Sequence, residues 1–171
     1  MVRRIVTFPA EVLTRPTERV VEIDENVKRI VKDMFDTMYH AEGVGLAANQ
    51  IGLSLSIMVI DTTPKEDAPN VKLVLINPEV LEAEGRVRFR EGCLSFPGLT
   101  VEVERFERVR VRALDERGED FEKTLEGFPA VVFQHEFDHL KGITFLDRLS
   151  GWRKRLALEK YRKLQREGAR T

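Results

Sequence analysis

The chain has 171 residues, of which 42% are hydrophobic and 33% are charged, and its formal net charge is −1. These values indicate a soluble globular protein with a heavily charged exterior, and the length fits one domain spanning residues 1–171. No apolar run is long enough for a membrane span or a signal peptide, and a single cysteine excludes an internal disulfide, so we expect a cytoplasmic protein.

The net charge is spread unevenly along the chain. Residues 150–171 contain eight basic and two acidic residues, a net charge of +6, whereas the remainder carries −7. The pattern of this segment predicts a C-terminal helix from about Gly151 to Gly168. Its charge indicates either a solvated helix face or a docking site for an anionic partner. We expect neither a membrane nor DNA as that partner.

Hydrophobic periodicity predicts one helix followed by a run of strands. After an irregular segment at residues 5–21, Asp24 is a suitable N-cap for a helix that reaches about Ala41. Its apolar stripe consists of Val27, Ile30, Val31, Met34 and Met38. Antiparallel strands are predicted at 56–61, 71–76, 80–89, 101–104, 109–113 and 120–125. Turns are predicted at Asn77-Pro78 and at 115–118, and a bend at Gly85.

A segment rich in small residues, Gly43 to Gly52, follows the first helix. It predicts a tight turn that ends this helix, and its small residues allow another backbone to approach closely. The segment contains Gly-x-Gly, but no later glycine completes a dinucleotide-binding fingerprint, so we reject a nucleotide site. Gln50 is a polar amide among small and apolar residues, which predicts either a buried hydrogen bond or an oxyanion donor.

A second helix, beginning near Phe128 and ending near Gly142, contains the sequence His-Glu-x-x-His. On a helix His135 and His139 differ by about 40° in direction and about 6 Å in height, so both can bind one metal ion. Glu136 can reach a water molecule on that ion without binding the ion itself. This arrangement suits metal-assisted hydrolysis, although the motif alone also fits a helix with two ordinary histidines.

A catalytic metal usually takes three protein ligands and keeps one open position. The metzincin pattern would place a third histidine where this chain has Phe145, so that class is excluded. Glu159 is an available third ligand for a gluzincin-like peptidase, although it lies in the basic C-terminal segment. Cys93, in the segment Glu91 to Gly98, would complete a His₂Cys site. A non-catalytic protein with a closed structural metal site is the remaining alternative.

Three segments together resemble the signature motifs of the peptide deformylases. They are residues 43–52, 91–98 and 134–142, and they occur in the order and form of that family. The resemblance implies an α+β fold, in which antiparallel β-sheets pack around a central metal-binding α-helix, with an N-terminal and a C-terminal helix. It also implies removal of the formyl group from N-formylmethionyl nascent peptides, with release of formate.

Carried over position by position, the resemblance implies a role for each residue of the centre. The implied metal ligands are Cys93, His135 and His139. Glu136 would be the general base for attack by metal-bound water, and Gln50 and the N–H of Leu94 would donate to the oxyanion. The implied ion is Fe²⁺, and Zn²⁺, Ni²⁺ or Co²⁺ would also suit these ligands.

The remaining predictions concern the substrate and a partner. The small Gly43 and Gly45 would let the substrate backbone pair with this loop in an extended form. The predicted methionine pocket consists of Val44, Phe89, Val131 and Val132. The basic helix within residues 150–171 would dock on the ribosome, from which the substrates emerge.

Overall fold

Residues 1–169 are the part of the chain that this computed structural model describes. The α-helices are α1 (Glu25–His40), α2 (Phe128–Leu140) and α3 (Gly151–Ala169). The strands are β1 (Gly45–Ala47), β2 (Ile57–Asp61), β3 (Lys72–Glu84), β4 (Val87–Gly92), β5 (Thr100–Arg105), β6 (Arg108–Leu114) and β7 (Asp120–Glu126). The last two residues of the predicted basic segment, Arg170 and Thr171, lie outside the described part. None of the described helices has the length and apolar character needed to cross a membrane.

The strands form two antiparallel sheets around the second helix. One sheet has five strands in the order β1-β2-β3-β6-β7, and the other is the β4-β5 hairpin. Helix α2 packs on the larger sheet through Ala130, Val132 and Phe133, which share one apolar cluster with buried residues of β2, β3 and β6. The predicted α+β fold, with antiparallel sheets around a central helix, is confirmed.

Helix α1 begins where the sequence predicts. The Asp24 carboxylate accepts a hydrogen bond of 2.9 Å from the Val27 N–H, which caps the first turn. The predicted apolar stripe is buried, and Met34 and Met38 have no exposed surface. These side chains pack with Leu46 of β1 in a second apolar cluster, so α1 covers the face of the sheet near its β1 edge.

The predicted turn at Asn77-Pro78 is wrong, because β3 continues through both residues to Glu84. The strand register with β6 shifts between Ile76 and Glu79, which marks a bulge where proline, lacking an N–H, can be accommodated. Asn77 has a φ of 52°. The Val20 N–H donates to Asn77 Oδ1, and Asn77 Nδ2 donates to the Val20 carbonyl, both at 2.9 Å. These two hydrogen bonds fix the position of the bulge.

The predicted strand at 80–89 is two strands in different sheets. Its first part belongs to β3, and its last part belongs to β4 of the hairpin. Gly85, with a φ of 73°, makes the predicted bend between them. The chain therefore leaves the larger sheet at Gly85 and carries the segment around Cys93 towards α2.

The small-residue segment contains a strand that the sequence analysis did not predict. A turn ends α1 as predicted, but Gly45–Ala47 then pair with β2 as the edge strand β1. A strand of three residues is too short to show alternation. A Cβ on Gly45 would lie 2.7 Å from Glu136 Oε2 and 2.8 Å from Val132 Cγ1, so only glycine allows β1 to pack this closely on α2.

A close backbone contact fixes the end of α2. The helix has Pro129 in its first turn and ends at Leu140, as the sequence predicts. Gly142 follows with a φ of 75°. A Cβ on Gly142 would lie 2.6 Å from the backbone carbonyl carbon of Arg15, so the passing N-terminal segment also requires glycine here.

Helix α3 belongs to the core as well as to the basic surface. Its Ala157 and Tyr161 are buried in a third apolar cluster that includes Phe96 and Phe145. The Tyr161 hydroxyl donates a hydrogen bond of 2.8 Å to the Phe8 carbonyl. Helix α3 therefore holds the N-terminal segment in place.

The N-terminal segment is mostly irregular, as predicted, and contains one short 3₁₀ helix, Glu11–Thr14. Its Val6 N–H donates to the Gln50 carbonyl at 2.7 Å, and its Phe8 N–H donates to the Ser95 carbonyl at 2.9 Å. The segment therefore lies between α3 and the two loops that carry Gln50 and Cys93.

Candidate metal centre

A thiol and two imidazoles converge where the hairpin meets α2. The Nε2 atoms of His135 and His139 are 3.3 Å apart, and Cys93 Sγ is 3.3 Å from His139 Nε2. Among the described His, Cys, Asp and Glu residues, these three have ligand atoms close enough together to bind one ion. A His₂Cys donor set suits zinc and other divalent transition metals, so the residues present fit a bound metal.

Local structure explains this convergence. The four-residue spacing in α2 places both imidazoles on one side of the helix. Cys93 directly follows β4, whose last residue Gly92 pairs with Thr100 of β5. The Phe96 N–H donates to the Cys93 carbonyl at 3.0 Å, which folds the segment back across α2.

A buried ion network supports the centre from behind. The His135 Nδ1–H donates to Glu91 at 2.8 Å, and Arg105 binds both oxygens of Glu91 at 2.8 and 2.9 Å. Arg105 also donates to Asp138 at 2.6 Å, and Arg148 binds both oxygens of Asp138. A carboxylate on the Nδ1 of His135 leaves its Nε2 free to face the site.

This network was not predicted, although the sequence contains a signal for each of two of its residues. Val101, Val103 and Arg105 alternate along β5 and share its buried face, so period two alone places the arginine inside. Asp138 lies three residues after His135 in α2, where the apolar Val131, Val132, Phe133, Phe137 and Leu140 cover much of the circumference of the helix. A buried charge needs a partner, so these two charges were candidates for a pair.

Glu136 is set for proton transfer. Its side chain is buried, and its Oε1 has no hydrogen-bond partner among the described residues. Burial raises the pKa of Glu136 to about 7; the charge of Glu91 acts in the same direction, and that of His135 opposes it. A carboxylate of this kind can accept and return a proton near neutral pH.

The pKa of Glu91 is shifted in the opposite direction to that of Glu136, below its usual value. Burial would raise this pKa, but the hydrogen bonds from Arg105 and His135 lower it to about 2. Glu91 therefore stays charged and holds His135. Burial, with the charges of His135 and Arg105, lowers the pKa of His139 well below its usual value, which favours the neutral form of this ring.

Gln50 lies beside the thiol. Its Oε1 accepts from the Ala47 N–H at 2.9 Å, which accounts for the buried hydrogen bond predicted as one alternative. Its Nε2 donates to Ser95 Oγ at 3.2 Å and lies 3.7 Å from Cys93 Sγ. The amide donor therefore points towards the metal ligands.

A cavity of about 590 Å³ opens beside this centre. The sequence-predicted residues that line it are Gly43, Val44, Gly45, Gln50, Phe89, Cys93, Leu94, Val131, Val132, His135 and Glu136. His139 does not line the cavity and has no exposed surface. Sequence reasoning missed Lys65, Arg90 and Phe128, which also line it. Glu159, the alternative third ligand, is exposed on α3 and is not part of the cluster.

Comparison with known proteins gives consistent matches over most of the chain. The family profile described as polypeptide deformylase matches residues 2–155. A peptide deformylase of Aquifex aeolicus is 71% identical over 164 residues, which are 96% of this chain and 97% of that protein. The crystal structure of a peptide deformylase from Legionella pneumophila has a TM-score of 0.91 and 43% identity, covering 100% of this chain and 99% of that one. A peptide deformylase from Ehrlichia chaffeensis in complex with actinonin has a TM-score of 0.88 and 36% identity, covering 96% of this chain and 98% of that one.

The first prediction concerns Arg105, whose side chain is 3% exposed. Arg105→Leu leaves Glu91 buried beside His135 without its main cationic partner. Removing one partner of a buried ion pair costs about 3–5 kcal/mol, so we expect a loss of this order in the free energy of unfolding, measured with urea.

The matched control is Arg110→Leu on the sheet, where the arginine pairs with the exposed Glu82 and Glu122. Exposed pairs contribute little, so we expect a much smaller loss. Equal losses in the two variants would contradict the supporting role of the buried network.

Proposed function

The chain belongs to the peptide deformylase family, and from that premise we propose a role for each residue of its metal centre. As a member of this family it is a metal-dependent hydrolase that removes the N-formyl group from nascent peptides. The observation that carries the proposal is the convergence of Cys93, His135 and His139 beside a cavity that Glu136 also lines.

The proposed metal ligands are Cys93 Sγ and the Nε2 atoms of His135 and His139. Their mutual distances and the mixed sulfur and nitrogen donors support this assignment. The proposed ion is Fe²⁺, and Zn²⁺, Ni²⁺ and Co²⁺ also suit the ligands. A divalent ion held there supplies Lewis acidity, which polarises the formyl carbonyl and makes a water molecule more acidic.

Glu136 moves the protons in the proposed reaction. It accepts a proton from the water that adds to the formyl carbon, and it returns that proton to the amine as the carbon–nitrogen bond breaks. The products are formate and a peptide with a free amino terminus. The pKa of about 7, caused mainly by burial, supports both steps at neutral pH.

Gln50 and Leu94 stabilise the negative oxygen of the tetrahedral intermediate in this proposal. The Gln50 Nε2 would donate one hydrogen bond and the Leu94 N–H another. Support comes from the position of Gln50 Nε2 beside Cys93 and from the presence of both residues in the cavity wall.

The proposed substrate lies extended along the edge of the larger sheet. Strand β1 is the terminal strand in the sheet order, so an added peptide can pair with the Gly43 to Gly45 segment. The methionine side chain would enter the part of the cavity lined by Val44, Phe89, Val131 and Val132. The ring centroids of Phe89 and Phe128 lie 5.7 Å apart, so the two rings pack together in the cavity wall.

We further propose that residues 1–171 act as one catalytic domain in the cytoplasm and that its basic C-terminal helix docks on the ribosome. The nascent-peptide substrate supports this location. On α3 the basic side chains Arg155, Lys160 and Lys163 are exposed, which supports an anionic partner such as ribosomal RNA.

The second prediction separates the proposed catalytic roles. Glu136→Ala removes the base, so we expect metal binding to persist while formate release from a formyl-methionyl peptide is abolished. Gln50→Ala removes one oxyanion donor, which costs about 10²–10³ in rate.

Formate release is measured on formylated and unformylated peptides of the same sequence. Glu167→Ala, a change to alanine on the exposed part of α3, is the control and is expected to retain normal activity. Near-normal activity of Glu136→Ala would rule out its role as the base.

The third prediction concerns the metal. We expect elemental analysis of anaerobically purified protein to find iron, and we expect a chelator to abolish formate release until a divalent ion is restored. Cys93→Ser, which replaces the thiol ligand, is expected to lower metal content. Fully active anaerobic protein that contains only zinc would contradict the assignment of Fe²⁺.

The fourth prediction tests the docking helix. Deleting residues 150–171 would also remove the buried Tyr161, so point variants are preferable. We expect the triple variant Arg155→Gln, Lys160→Gln, Lys163→Gln to cosediment less with ribosomes at low salt, with unchanged activity on free peptides.

The control for this experiment replaces the same number of charges elsewhere. It changes Arg108, Arg110 and Arg112 of β6 to glutamine, since these side chains lie on the exposed face of the sheet. Equal cosedimentation of the two triple variants would argue against docking through α3.

A further inference from the structure

Two buried polar atoms beside the metal centre have no hydrogen-bond partner among the described residues. They are His139 Nδ1 and Asn49 Oδ1. Both residues are completely buried, so water does not reach them from outside. The two side chains belong to residues that are already joined, because Asn49 Nδ2 donates to the His139 carbonyl at 2.6 Å.

The orientation of the Asn49 amide follows from this contact. A carbonyl oxygen only accepts hydrogen bonds, so the NH₂ group of Asn49 must face His139. The Oδ1 atom is then left as an acceptor without a donor. An unsatisfied buried polar group costs about 1–3 kcal/mol, so a nearby donor is to be expected.

The chemistry of His139 supplies that donor. Its Nε2 faces Cys93 Sγ and His135 Nε2, each at 3.3 Å, and is the atom placed to bind a metal. A metal-binding imidazole is neutral and carries its proton on the other nitrogen. His139 Nδ1–H is therefore a donor without an acceptor, and Asn49, which is hydrogen-bonded to the carbonyl of the same residue, carries an acceptor without a donor.

The third unpartnered atom is Glu136 Oε1, which is also an acceptor. Its side chain lines the cavity, whereas His139 does not. The other ligand of α2, His135, already has a carboxylate on its Nδ1, supplied by Glu91 at 2.8 Å. Of the two histidines on α2, His139 is therefore the one whose Nδ1 has no partner among the described residues.

We propose that Asn49 is the positioning residue of His139, holding its backbone through Nδ2 and its Nδ1–H through Oδ1. In this arrangement Oδ1 would accept from Nδ1–H while Nδ2 keeps its hydrogen bond to the His139 carbonyl. The metal centre then has two unlike supports, a charged carboxylate behind His135 and a neutral amide behind His139. This inference rests on the proposed metal centre.

The test measures zinc affinity and the Nδ1 proton on the full chain. Asn49→Leu removes both contacts and keeps the number and branching of the side-chain heavy atoms, and loss of such a partner typically lowers metal affinity 10- to 100-fold. We expect a loss in that range by competition with a chelator. Asn49→Asp keeps an acceptor for Nδ1–H and is expected to retain more of the affinity than Asn49→Leu.

Thr37→Val is the matched control, since Thr37 is buried in α1 and accepts a hydrogen bond from the Arg3 N–H far from the centre. It is expected to lower stability without changing zinc affinity. In zinc-loaded wild-type protein, NMR is expected to show a slowly exchanging His139 Nδ1 proton close to Asn49, and this proton is expected to exchange rapidly in Asn49→Leu.

The outcomes separate this inference from the function it rests on. Absence of metal binding by the wild-type chain would overturn the proposed centre itself. Normal zinc binding with equal affinities for the wild type and a folded Asn49→Leu variant would overturn only the role of Asn49. A rapidly exchanging Nδ1 proton in the wild type would overturn it as well, even if Asn49→Leu does not fold.

Discussion

The candidate metal centre depends on one buried arginine that joins two separate parts of the fold. Cys93 follows a hairpin outside the larger sheet, whereas both histidines lie on α2, so nothing in the sheet register fixes their separation. Arg105 binds Glu91, two residues before Cys93, and Asp138, which precedes His139. Burying these charges costs solvation energy, and the network compensates by pairing each charge across the hairpin and the helix.

Two carboxylates beside this centre are both buried, but their pKa values are shifted in opposite directions. Glu91 remains charged because a guanidinium and an imidazole donate to it, and it serves as a fixed support. Glu136 lacks such partners, so burial raises its pKa to about 7 and makes it exchange protons easily. In the proposed mechanism, environment therefore divides support and proton transfer between two residues of one chemical type.

Sequence patterns predicted most helices and strands, and they failed for identifiable physical reasons. Periodicity located α1 because it has one apolar face and a capped start. Helix α2 is buried on most sides, and it was located from the proline at its start, the glycine after its end and the His-Glu-x-x-His sequence. It missed β1, which is three residues long, and it placed a turn at Asn77 where tertiary hydrogen bonds from Val20 hold a bulge inside β3. The residues predicted for the metal and the substrate come together at or beside one cavity. The alternation in β5 and the burial of α2 made Arg105 and Asp138 candidates for a pair, but no local pattern links Arg105 with Glu91 or Asp138 with Arg148.

The N-terminal segment has a consequence for how the molecule opens. Tyr161 of α3 holds Phe8, and the backbone of the same segment is hydrogen-bonded to Gln50 and Ser95. Residues near both ends of the chain therefore hold the segments that carry Gln50 and Cys93. Fraying at either terminus, the commonest local opening in a folded chain, would loosen those loops before it reached the strands of the larger sheet. The order of the segments around the candidate site therefore depends on how firmly both termini are held.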